Sequence, residues 1–189
     1  MPLIDGFTRD ENFTITPFDA AMNPEQTARC SEGFHLKTCS KRMDEVRVGD
    51  LVLTTDVDGL EFSRLDYFLH RNTEKRIEFL RFKLANGNSV SMTPKHYTFV
   101  EECGKTDIDP MAMKKIQAET VTVGMCFFTV SRTLVQIVEV ERVEKVGYFS
   151  PFTSASTMFV NDIFVSCTSE AEYPLLQKAL ADVEKTKCS

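Results

Sequence analysis

Three residues have the types needed to break a peptide bond without a metal: Cys30, Thr93 and His96. Thr93 and His96 lie three apart in "SVSMTPKHYTFV", Ser89 to Val100, on either side of a proline. The alternation of Val90, Met92, Tyr97 and Phe99 predicts a half-buried strand broken at Pro94. Such a kink can aim both polar side chains the same way. A thiol is the natural nucleophile, because part of it is thiolate near neutral pH. Attack by the Cys30 sulfur on the carbonyl of Arg29 would form a C–S bond as the C–N bond breaks, leaving a thioester between residues 29 and 30. His96 would protonate the departing amide nitrogen, and Thr93 would hold that amide by a hydrogen bond. Cys39 is the rival nucleophile, but it stands too close to Met43 for a strand of its own to precede the next segment. The blander alternatives are a loop thiol at position 30 and a histidine at position 96 that merely satisfies backbone groups.

Such a set needs a scaffold, and the text from Val46 to Val165 reads as all-β. Its runs "VRVGDLVLTTD", "IEFLRFKLANG", "CFFTV", "LVQIVEVERVEKVGYF" and "STMFVNDIFVSC" are rich in β-branched and aromatic residues. Asp58-Gly59 and Asn86-Gly87 suit the positive φ of tight hairpin turns, and the second leads into the Thr93 strand. "EVRVGDLVLTTD" (Glu45 to Asp56) returns about 75 residues later as "TVTVGMCFFTV" (Thr120 to Val130), which predicts two β subunits related by a pseudo-twofold. Residues 1–29 show no sustained period and are expected to be a loosely structured flank. Helix-favouring composition occurs in "MAMKKI" (Met111 to Ile116) and in the tail, where Leu175, Leu176 and Leu180 share a side.

The 189 residues, 42% of them apolar, suffice for one domain with a core. A net charge of -6 without a basic run argues against nucleic acid as partner. No segment is apolar for long enough to span a bilayer, and no signal peptide is evident. Six cysteines with no Cys-x-x-Cys pair suggest neither a disulfide-dense scaffold nor a zinc ribbon. No cofactor or metal is expected.

Taken in order, Cys30, "RMDEVRVGDLVLTTDVDG", "FLHRN", "LANGNSVSMTPKHYTFV", "VTVGM" and "GYFSPFTSASTMFVNDIFVSC" resemble the Hint module of hedgehog-type autoprocessing proteins, including nematode hedgehog-related proteins. The resemblance spans residues 30–168 and implies an all-β, pseudo-twofold disk shared with inteins. It divides the chain into residues 1–29, a segment to be cleaved off; 30–168, the autoprocessing domain; and 169–189, a short C-terminal helix. It implies that Cys30, Thr93 and His96 are catalytic, that Arg29–Cys30 is the cleavage site, and that Ser166-Cys167 matches the family's terminal Ser-Cys. The substrate would be the protein's own N-terminal segment, and a monomer would suffice. Water, a small thiol or a lipid alcohol would complete the release. Passage through the secretory pathway is implied by the resemblance alone.

The sequence also departs from the family. His70 replaces an aspartate assigned to the second step, which puts cholesterol in doubt, although a neutral imidazole is a usable base. Arg29 and Ser31 replace the usual glycine and phenylalanine around the cysteine. Cys167 is a candidate for a disulfide or redox lock with Cys30, while Cys103, Cys126 and Cys188 read as structural or incidental. The competing expectation is a catalytically degenerate Hint fold kept as a binding or structural module.

Overall fold

The computed structural model describes residues 6–15, 30–33 and 36–169, with side-chain surroundings for residues 6–13 and 39–168. Its strands are, in chain order, β1 (Asn12–Ile15), β2 (Cys30–Gly33), β3 (Leu36–Arg42), β4 (Leu51–Thr55), β5 (Leu60–Leu84), β6 (Ser89–Met92), β7 (His96–Val100), β8 (Lys114–Gln117), β9 (Cys126–Phe128), β10 (Leu134–Thr153), β11 (Thr157–Val160) and β12 (Ile163–Ser169). Successive side chains of a strand point to opposite faces, and β11 and β12 use this to serve two cores at once. Met158, Val160, Ile163, Val165 and Cys167 enter the main core. Phe159 and Phe164, directly opposite one another, join Phe99, Phe128 and Leu53 in a smaller one. Burial on both faces explains why "STMFV" and "IFVSC" read as continuous apolar runs.

Hydrogen-bonded neighbours run β8-β7-β12-β11-β1-β4-β5-β10-β9, with β6 added to β5 and β3, then β2, branching from β1. The repeat seen in the sequence is a repeat of hydrogen bonds. Gly49, at φ 97°, donates to Leu65 O while Leu65 donates to Asp50 O; Gly124, also at φ 97°, donates to Ile137 O while Ile137 donates to Met125 O. Each Val-Gly turn thereby hands a short strand, β4 or β9, to the start of a long one, β5 or β10. The two long strands then pair with each other over most of their length. The all-β, pseudo-twofold expectation therefore describes the molecule.

Two expectations differ from what is seen. Residues 6–15, expected within a loose flank, are built into the sheet: β1 pairs with β3, β4 and β11, and Phe7 and Phe13 lie in the main core. Tertiary pairing overrides the weak local pattern there, because edges of three strands await the segment. "MAMKKI" is no helix; a turn of 3₁₀ at Pro110–Ala112 leads into β8, which pairs with β7. Its helix propensity is smaller than the gain of completing that edge. The expected helix at the C-terminal end, and Arg29, lie outside the described residues.

Candidate functional site

Pro94 supplies no N–H, so the ladder of β6 stops at Met92 and the chain turns. His96 N–H donates to Thr93 O at 3.1 Å, closing a turn with the proline at its second position. Both side chains are buried, and the turn sets them against the same neighbouring segment, Gly6 and Phe7. His96 Nε2 lies 2.8 Å from the carbonyl oxygen of Ser166. A carbonyl only accepts, so Nε2 carries the proton. The terminal Ser-Cys pair thus reaches the site through its backbone.

The residue held by this pair is Gly6. Its N–H donates to Thr93 Oγ1 at 3.2 Å, and Thr93 N–H donates to Gly6 O at 3.0 Å. Phe7 follows with its ring set edge-on against the His96 imidazole, centroids 4.6 Å apart. Phe7 and Phe149 exchange both backbone hydrogen bonds, at 2.8 and 2.9 Å, which locks the segment against β10. Gly6 has φ +129°, and a Cβ there would stand 2.1 Å from Phe149 O. Only glycine fits.

A second set of bonds holds this segment in place. Glu11 is buried, accepts from Ser91 N–H at 3.0 Å and from Thr8 Oγ1 at 3.5 Å, and is reached by Asn161 Nδ2. Burial pushes its carboxyl up to about 7, with Lys145 pulling the other way. Asn161 and Asp162 form the two-residue turn of the β11–β12 hairpin, both at positive φ. From that turn Asn161 Nδ2 also donates to Ser89 O at 2.7 Å, and its Oδ1 accepts from Asn12 N–H at 2.7 Å. The N-terminal segment is therefore tied to β6, the strand that ends one residue before Thr93.

The sequence candidates separate. Thr93 and His96 meet. His70 lies half-buried on β5 beside the Arg71–Phe149 pair, its ring 5.8 Å from Tyr148, so only β10 stands between its strand and Phe7. Cys167 is buried next to Ser166, keeps its thiol, and lies 3.4 Å from Thr153 Oγ1; the lock between Cys167 and Cys30 is not formed. Cys30 is elsewhere. It pairs with Cys39, which pairs with Ile15, nine residues beyond Gly6. From β7 the path to β2 crosses β12, β11, β1 and β3, on the order of 20 Å along the sheet at about 4.8 Å per strand. The amide on Thr93 is Gly6's, not that of Cys30. Sequence reasoning missed Gly6, Phe7, Glu11 and Asn161. The one available signal was the period of two in Phe13 and Ile15, diluted by the polar residues around it.

The family model of the Hint module matches residues 25–187. Warthog protein 8 of Caenorhabditis elegans is 37% identical over 150 residues, which cover 74% of this chain and 26% of the relative. Indian hedgehog B protein of Danio rerio is 30% identical over 155 residues, 75% of this chain and 38% of the relative. The chain spans about a quarter of the length of the Warthog relatives it matches. Among solved structures, the gp41-1 intein superposes with a TM-score of 0.60 at 13% identity, covering 86% of this chain and 98% of the intein. An intein-like domain from Clostridium thermocellum gives 0.57, likewise at 13% identity, covering 87% and 99%. With a Thr-x-x-His turn at the middle of a pseudo-twofold β fold and a family match across most of its length, this chain belongs to the Hint family.

Proposed function

We propose that this chain is a Hint module that uses its Thr93–His96 pair to hold its own N-terminal segment, acting as a structural or binding module and not cleaving the peptide it grips. One observation carries the reading. Thiol-dependent acyl transfer needs a cysteine at the residue whose amide the threonine holds, and here that residue is Gly6. Glycine offers no nucleophile, and the backbone of Phe149 leaves no room for one. Purified chain incubated with dithiothreitol or hydroxylamine is expected to keep its full mass of 21.5 kDa. Release of an N-terminal fragment under those conditions overturns the proposal.

A second reading is favoured by the start of the family match at residue 25, a few positions before Cys30. In it Cys30 attacks the Arg29 carbonyl to give a thioester, and water, a thiol or a lipid alcohol then releases residues 1–29. Sterol as that alcohol finds little support, since the chain carries His70 in the second-step position. This reading requires β2 to leave β3 and bring residue 30 to the Thr93–His96 turn. The same mass measurement decides between the two, because this reading alone yields a product beginning at Cys30. For either, secretory-pathway residence is supported by the Cys103–Cys126 disulfide and by the oxidised state of Cys39, since such bonds persist in oxidising compartments.

A further inference from the structure

Cys39 is disulfide-bonded, and its register partner across the β2–β3 ladder is Cys30. Directly opposed residues of an antiparallel pair have Cα atoms about 4.5 or 5.5 Å apart. Both values fall inside the range a disulfide spans. Of the six cysteines in the chain, Cys103 and Cys126 are bonded to each other and Cys167 keeps its thiol. Only Cys30 and Cys188 remain as partners for Cys39. We propose that Cys30 and Cys39 form a cross-strand disulfide, a reversible latch that pins β2 to β3 and removes the Cys30 thiol from chemistry.

Closing the latch takes two protons and two electrons from the thiols, which an oxidising disulfide accepts as it becomes two thiols. Opening reverses this with a dithiol or phosphine reductant. The bond is independent of what the module cleaves. Its action as a gate rests on the second reading above, since a sulfur bonded to Cys39 cannot attack Arg29. A thiolate becomes available there only after reduction.

The sequence makes the test direct, because Lys37 lies between the two cysteines. Full chain is alkylated without reductant, digested with trypsin and mapped by mass spectrometry. The expected species is peptide Cys30–Lys37 linked to Thr38–Lys41, lost on prior reduction and retained in the Cys188→Ser variant. Peptide Thr38–Lys41 linked to Cys188-Ser189, or Cys30 alkylated without reductant, overturns the bond. Intact mass with and without a phosphine then tests the gate. A product beginning at Cys30 that appears only after reduction supports it, and the same product without reductant overturns it. A chain intact in both arms with the linked peptide present leaves the latch standing and defeats the cleavage reading.

Discussion

Gly6 decides what the Thr93–His96 pair can do. Its backbone is held at a φ that side chains disfavour, against the carbonyl of Phe149, so Gly6→Ala combines strain with a clash against backbone. The expected cost is at least about 3 kcal/mol, read as a lowered midpoint in urea; an unchanged midpoint would mean that the segment does not dock as described. Glu11 makes the same docking pH-dependent. Burial holds its carboxyl at about 7 when folded, against an ordinary value of 4.5. Between these values the folded chain keeps a proton that the unfolded chain has lost, so the stability is full below about 4.5 and falls as pH rises through 7. The difference corresponds to about 3 kcal/mol. Glu11→Gln should flatten that dependence in denaturant titrations across this window, and a wild-type stability that rises over the same interval would contradict the assignment.

At the scale of the element, the β11–β12 hairpin acts as a bracket and not only as a turn. Asn161 occupies a left-handed conformation and spends its side chain on Asn12, Ser89 and Glu11. Two consequences can be separated by substitution. Asn161→Gly keeps the backbone accessible and loses the bonds, whereas Asn161→Ala loses the bonds and adds strain. Both should be less stable than the parent, the alanine variant by about 1 kcal/mol more than the glycine one. Equal melting midpoints for the two would show that the conformation carries no strain. The Val-Gly turns illustrate a different element rule: Gly49 and Gly124 stand in open space, so they are glycine for positive φ alone and not for lack of room.

For the molecule as a whole, the question is whether the N-terminal residues are cargo or framework. Phe7 and Phe13 belong to the main core, and β1 lies between β11 and β4 in the strand order. Removing this segment takes two buried aromatic side chains out of the core, each worth about 3 kcal/mol or more when truncated to alanine, against a total stability of about 5–15 kcal/mol. Deleting residues 1–15 should therefore give a chain without a cooperative thermal transition. A deletion variant that melts like the parent would restore the loose-flank expectation. This framework role also sets the two functional readings apart, because a segment needed for the fold is costly to release.

How much was legible follows from the range of the interactions. The all-β class, the hairpins at Asp58-Gly59 and Asn86-Gly87, the paired Val-Gly turns and the Thr93–His96 turn are local: alternation, glycine dihedrals and a proline specify them within a few residues. The sequence by itself therefore determined the scaffold and the two residues that its proline turn aligns. Which peptide those residues hold is a contact across 87 positions, and nothing local distinguishes the amide of Gly6 from that of Cys30. Only the tertiary structure decided it, by giving β1 the place between β11 and β4 and pairing Cys30 with Cys39, because strand register is selected by long-range pairing and burial rather than by the identity of a reactive side chain.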